Sequence, residues 1–247
     1  YIDEEALMKL IQRHGYIEFL RRNRERSIIK VVSGIRRCGK STLFRLFKDE
    51  LLAEGVKPEQ IISINFEELE YEPLREYHAL YQYILNQMQP NQMNYIFLDE
   101  IQHVDQFHRV VDSLFVKENT DIYITGSNAY FMSSDIATLL TGRYVEIQML
   151  PLSFAEFYFS KYEEQQYSLI PAYEAYLRES SFPYTQQLGG EDFDIQEYLR
   201  GLFNTLLLHD VVARLKINDV MILQDIVRYI MANVGSLLSP NKIAKSL

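Results

Sequence analysis

The stretch Ile28-Ile29-Lys30-Val31-Val32-Ser33-Gly34-Ile35-Arg36-Arg37-Cys38-Gly39-Lys40-Ser41-Thr42 runs from an apolar segment, through a loop bounded by two glycines, into residues of helical periodicity. Its residues Gly34, Gly39, Lys40 and Ser41 satisfy G-x-x-x-x-G-K-[ST] at every fixed position. Four residues between the glycines let the backbone wrap a phosphate with its N–H groups pointing inward, and glycine permits the close approach this needs. Lys40 then reaches the β- and γ-phosphates of a nucleotide. Ser41 opens the following helix, where its hydroxyl can ligate Mg²⁺ and the helix N-terminus favours an anion. Thr42 is placed for the α-phosphate. The nucleotide-binding set is therefore Gly34, Ile35, Arg36, Arg37, Cys38, Gly39, Lys40, Ser41 and Thr42. Within it, Arg36 and Arg37 can touch phosphate or point to solvent, and Cys38 reads as a loop filler rather than a nucleophile.

Working outward, a strand at Ile28 to Val32 and a helix at Ser41 to Ala53, ended by Gly55, begin an alternation. It continues with a strand at Ile61 to Phe66, a helix from Leu74 to Gln87 and a strand at Tyr95 to Asp99. A helix at Phe107 to Phe115, a strand at Ile122 to Thr125, a short helix near 136–140 and a strand at Tyr144 to Met149 complete it. Apolar strands separated by helical segments predict a parallel sheet covered on both faces, a three-layer αβα fold. Beyond Pro151 no strand is evident. Helices are expected at Ala172 to Arg178, Tyr198 to Leu215 and Val220 to Val234, with a flexible loop at Gln186 to Glu191. The expected division is an N-terminal helical segment at 1–27, a core at 28–150, a helical region at 151–236 and a further element at 237–247.

Tyr95-Ile96-Phe97-Leu98-Asp99-Glu100 is an apolar strand ending in two acids. Ligands of open α/β sheets bind at the C-terminal ends of strands, so Asp99 can hold Mg²⁺ and Glu100 can polarise an attacking water. A helix cap and a solvated acid would leave the same trace. Thr125-Gly126-Ser127-Asn128 ends the next strand and reads either as a contact to the γ-phosphate, through Asn128, or as a polar turn. Arg143 is an arginine preceding a strand; it can supply charge to a transferring phosphate, in its own subunit or a neighbour's, or form a surface ion pair.

The 247 residues carry a formal charge of −9, which argues against a broad nucleic-acid surface, although Arg21, Arg22, Arg24 and Arg26 form one basic cluster. That cluster reads as a solvated helix end beside the base pocket, or alternatively as a nucleic-acid contact. No apolar run approaches the roughly 18 residues of a membrane span. The single cysteine forms no internal disulfide, and a cytoplasmic setting is expected. The five histidines have no spacing that suits zinc.

Several motifs taken together resemble the archaeal-type AAA+ ATPases, a branch with STAND-like features. They are the phosphate loop, Ile64-Asn65-Phe66-Glu67, Phe97-Leu98-Asp99-Glu100-Ile101-Gln102, Ile124-Thr125-Gly126-Ser127-Asn128, Leu140-Thr141-Gly142-Arg143 and Pro151-Leu152-Ser153-Phe154-Ala155-Glu156-Phe157. The resemblance implies ATP with Mg²⁺ as ligands, catalytic roles for Lys40, Glu100, Asn128 and Arg143, and metal contacts from Ser41 and Asp99. It also implies a winged helix opening at 237–247, left incomplete at Leu247, and usually a C-terminal nuclease-like domain after it. Such a chain would be an ATP-hydrolysing switch or remodelling module, with a DNA or protein partner reached through the winged helix and oligomers to be expected. The alternative is a nucleotide-gated binding module with negligible hydrolysis. A P-loop kinase fits less well, because no acceptor-binding lid is evident.

Overall fold

In the computed structural model of the protein, the described residues are 11, 13–127, 140, 142–162, 167–188, 192–206, 211–212 and 219–246. They begin with helix α1 (His14–Asn23), strand β1 (Ile29–Gly34) and helix α2 (Lys40–Ala53). Strand β2 (Ile61–Asn65), helix α3 (Tyr77–Gln87), strand β3 (Asn94–Asp99), helix α4 (Phe107–Phe115), and strands β4 (Thr120–Ser127) and β5 (Tyr144–Met149) follow. All the strand pairings are parallel, in the order β2-β3-β4-β1-β5. The expected three-layer α/β fold is the one present.

Period-two alternation builds the two faces. Val31, Ile64, Ile96, Leu98, Ile122 and Ile124 point into one buried cluster with Leu80 and Ile84 of α3 and Val110, Val111 and Leu114 of α4. Their strand neighbours Val32, Tyr95, Phe97 and Tyr123 point into the other, with Ile17 and Leu20 of α1 and Leu43, Phe44 and Phe47 of α2. In that second layer Phe97 stacks on Tyr123 at 4.6 Å, with Phe44 edge-on to Phe97 at 5.2 Å. Asp99 shares its parity with Phe97, so it lies on the face that α2 covers.

Element bounds mostly agree with expectation. Helix α3 starts three residues later than expected, at Tyr77, because residues Leu69–Arg75 form a 3₁₀ turn containing Pro73 and Glu76 caps the helix through the N–H groups of His78 and Ala79. One helix was not expected at all: α5 (Phe154–Tyr162). Its capping box is explicit, since Ser153 Oγ accepts from Glu156 N at 3.3 Å while Glu156 Oε2 accepts from Ser153 N at 2.8 Å. Helix α6 (Leu169–Glu179) packs on it, with Leu152, Phe157 and Ala175 at the centre. Gln186 and Gln187, expected in a flexible loop, belong to a 3₁₀ turn at Pro183–Gln187 in which Thr185 is buried. The helix expected near 136–140 lies outside the described residues apart from Leu140.

The chain forms two compact units, residues 1–190 and 191–247. The second holds α7 (Asp192–Thr205), α8 (Val220–Ala232) and α9 (Pro240–Ser246). Helix α7 begins six residues before the expected Tyr198; Asp194 suits a first turn, where the helix dipole favours acids. Asp219 caps α8 through the N–H groups of Met221 and Ile222 at 3.0 and 3.1 Å. Among the described residues no helix is long and apolar enough to cross a membrane.

Candidate functional site

Strand β1 ends at Gly34 and α2 begins at Lys40, so residues 35–39 form the loop between them. Gly34 is fixed by packing: a Cβ there would lie 2.5 Å from the Met149 carbonyl oxygen and 2.7 Å from Cys38 Sγ. Gly39 has φ +106°, a left-handed conformation that glycine adopts without penalty. Lys40 is only 4% exposed. Its ammonium donates to the carbonyls of Gly34 at 3.1 Å and Ile35 at 3.4 Å, and pairs with Glu100 Oε1 at 3.0 Å. The loop thus folds around the Lys40 ammonium.

The two acids of β3 meet that loop. Asp99 and Glu100 are each 6% exposed. Burial pushes the Asp99 carboxyl up, against hydrogen bonds from the Ser41 and Thr125 hydroxyls that draw it down. A buried carboxylate beside a serine hydroxyl is a set of hard oxygen donors, the chemistry that suits Mg²⁺. Glu100 adopts a left-handed backbone, φ 54°, which turns the chain sharply out of the strand. Thr125 locks both acids: its hydroxyl donates to Asp99 Oδ1 and accepts from Glu100 N at 2.9 Å. Gln102 adds a bond from Nε2 to Glu100 Oε2 at 2.5 Å. The sequence reading placed Thr125 at the correct strand end but gave it no part in holding the acids. The pairing of Leu98 with Ile124 in the β3–β4 register sets Thr125 beside Asp99.

A cleft of about 810 Å³ passes over the start of α2. Ser41, Thr42 and Asp99 line it, as do the apolar Ile11, Met149, Leu152 and Pro183. Gln186 also lines it, and its Nε2 is buried without a hydrogen-bond partner among the described residues.

The profile of one family, described as an AAA domain, matches residues 26–158, over half of the chain. This chain belongs to the AAA domain family. A Haemophilus influenzae protein is 38% identical over 241 residues, covering 96% of this chain and 60% of the relative. A Methanocaldococcus jannaschii protein is 33% identical over 238 residues, covering 89% of this chain and 50% of the relative. The chain therefore spans 50 to 60% of the length of these two relatives. Among solved structures, a Walker-type ATPase of Pyrococcus abyssi superposes with a TM-score of 0.58 at 17% identity, covering 96% of this chain and 89% of that one, a likeness of fold.

Other candidate residues of the AAA domain are placed as follows. Arg36 pairs with Glu67, whose carboxyl burial would raise but which the hydrogen bond and charge of Arg36 hold low. Arg37 is exposed with φ 69°. Cys38 is fully buried and burial pushes its thiol up, as befits a packing residue. Asn128 lies outside the described residues, but Ser127 pairs with Gly34, so β4 ends at the level of the loop. Arg143 is not brought to the loop. It precedes the first residue of β5, which pairs with Ile29 at the N-terminal end of the strands, and its guanidinium lies 5.5 Å over the Phe115 ring. Five residues of strand separate that level from Gly34, about 17 Å at 3.3 Å per residue.

The basic cluster also needs correction. Arg21, Arg22, Arg24 and Arg26 do not line the cleft over the start of α2. Arg21 pairs with Glu50 at 2.5 Å, while Arg24 pairs with Glu25 and Glu54 and donates to the Tyr95 hydroxyl at 3.1 Å, at the sheet edge opposite the loop. The expectation failed because sequence does not reveal at which end of the sheet a helix terminates.

Arg13 is a residue that sequence reasoning missed. Nearly buried, it pairs with Glu156 at 2.6 Å and donates to the Cys38 carbonyl at 3.3 Å and the Leu150 carbonyl at 2.8 Å. It ties the phosphate loop to the turn after β5 and to the cap of α5. The Ser153-x-x-Glu156 box was a readable signal for the helix; nothing local signalled its arginine partner.

Proposed function

We propose that this chain binds ATP with Mg²⁺ on the loop Gly34 to Thr42 and hydrolyses it, using turnover to switch or remodel a partner. The observation that carries the reading is the convergence of the buried Lys40, Asp99 and Glu100 with the exposed Ser41, from two elements almost 60 residues apart in sequence, at one end of the sheet. Loop N–H groups and Lys40 would hold the β- and γ-phosphates, and Ser41 with Asp99 would hold Mg²⁺, whose bound charge would neutralise the phosphates. Glu100 would accept a proton from the attacking water once phosphate has replaced it on Lys40. Met149, Leu152 and Pro183 offer apolar walls for a base. Gln186 offers an amide, the group that matches the adenine edge with one donor and one acceptor. Asn128 as a γ-phosphate contact, the division at 27, 150 and 236, and a DNA or protein partner reached through 237–247 belong to the same reading.

The test is direct. Wild type should release phosphate from Mg·ATP, and Lys40→Ala should bind ATP about 10- to 100-fold more weakly in calorimetry, the worth of charge-assisted bonds to phosphate. Binding without phosphate release would move the assignment to the nucleotide-gated binding module, which the existing Lys40–Glu100 pair favours by keeping the glutamate engaged. Equal binding by wild type and Lys40→Ala would remove the loop from nucleotide binding altogether.

Arg143, exposed and far from its own loop, is assigned to the site of a neighbouring copy. Turnover per chain should then rise with protein concentration. Arg143→Ala mixed with Lys40→Ala should recover activity that neither has alone; wild-type turnover by Arg143→Ala itself would refute the assignment.

A further inference from the structure

We infer that Gln102 is the positioning residue that holds Glu100 for catalysis once phosphate occupies Lys40, and that its carboxamide oxygen accepts a hydrogen from the attacking water. The inference rests on the hydrolysis reading above. Among the described residues the Glu100 carboxylate has two side-chain partners: Lys40 at 3.0 Å through Oε1 and Gln102 at 2.5 Å through Oε2. A nucleotide phosphate must take Lys40, because that ammonium is the cation buried inside the loop. Glu100 then loses one anchor, and Gln102 is the other. Asn65, the residue paired with Asp99 across β2 and β3, does not hold Glu100 in this structure. Its Nδ2 donates to Glu68 at 3.0 Å and its Oδ1 accepts from Glu67 N at 3.1 Å.

The second observation is the other half of the same amide. Gln102 Oε1 is buried and has no hydrogen-bond partner among the described residues. An acceptor kept from solvent and unpaired is unfavourable unless something polar is bound there during function. A water held between the Glu100 carboxylate and this oxygen would satisfy it and would be oriented by two acceptors, the task a water-positioning side chain performs in phosphoryl transfer. In the step, the water oxygen forms a bond to the γ-phosphorus as the bond from that phosphorus to the bridging oxygen breaks, and ADP leaves. The water proton passes to Glu100 and from there to solvent.

The experiment compares wild type, Gln102→Ala, Gln102→Asn and Glu100→Gln, with the double variant Glu100→Gln/Gln102→Ala. ATP affinity is measured by calorimetry, melting temperature by scanning fluorimetry, and hydrolysis by single turnover of γ-labelled ATP with protein in excess. Gln102→Ala and Gln102→Asn should bind ATP within about threefold of wild type, melt near it, and hydrolyse about 10- to 100-fold more slowly. In the Glu100→Gln background Gln102→Ala should cause little further loss, because the two act as a unit. Wild-type turnover by Gln102→Ala overturns the inference and leaves the hydrolysis reading standing. Parallel losses of affinity and melting temperature in both Gln102 variants assign a structural role and also overturn it. A wild type that binds ATP and never cleaves it overturns both.

Discussion

Glu100→Gln is expected to bind Mg·ATP at least as tightly as wild type and to hydrolyse it about 10²- to 10⁴-fold more slowly, the range that general-base catalysis contributes. The direction of both effects follows from the geometry. In the free protein the glutamate neutralises Lys40 at 3.0 Å, with the two side chains 8% and 3% exposed. A carboxamide there cannot pair with the ammonium as an ion, so the phosphate meets less competition and affinity rises. The same carboxamide cannot take a proton from water, so the chemical step fails. Calorimetry with a non-hydrolysable analogue and phosphate release under saturating ATP separate the two quantities. Turnover within threefold of wild type would mean that another group activates the water. Weakened binding would mean that Glu100 supports the loop rather than competing for it.

Asp121→Asn is expected to destabilise the fold by about 3–5 kcal/mol, the cost of leaving one member of a buried ion pair without its partner. That is a large share of the roughly 5–15 kcal/mol that holds a domain folded. Lys30 and Asp121 have fully buried side chains and pair directly. The carboxylate also accepts from Glu25 N at 2.8 Å and the Tyr123 hydroxyl at 2.7 Å, and Lys30 donates to the Arg26 carbonyl at 3.0 Å. Burial pushes the Lys30 ammonium below its ordinary range and Asp121 pulls it back. Without Asp121 the folded-state value falls further below the unfolded value of about 10.4. A group depressed on folding takes stability away as pH falls through its folded value. The variant's deficit should therefore shrink as pH rises toward 10. Urea unfolding at pH 7 and pH 9.5 measures both effects. A loss under 1 kcal/mol, or a deficit that grows with pH, would show that the network is not what closes the lower edge of the sheet. Replacing the pair together, as Lys30→Met with Asp121→Leu, should recover much of the stability, since no charge is then stranded.

These two sites sit at opposite ends of the same strands, and the contrast marks the boundary between what the sequence determined and what only the folded chain decided. The phosphate loop was legible because its chemistry is local: eight consecutive residues, two glycines at fixed spacing, and a strand and helix on either side. The acids at 99 and 100 were legible because a strand's apolar run shows where it ends. The parallel α/β class followed from the alternation of periods two and 3.6, and the bounds of α4 and β5 were as expected. Helix α5 is encoded locally too, in the capping box Ser153-x-x-Glu156.

The rest depended on the order β2-β3-β4-β1-β5. That order places Thr125 beside the two acids and Lys30 against Asp121, while the parallel register of β5 with β1 leaves Arg143 at the N-terminal end of the strands, away from the loop. Arg13 meets Glu156 across 143 positions of sequence. Local periodicity sets which face a side chain takes. Partners brought together by strand order are chosen by packing the whole sheet, so a buried arginine, lysine or threonine finds its role only when the distant group that satisfies it arrives.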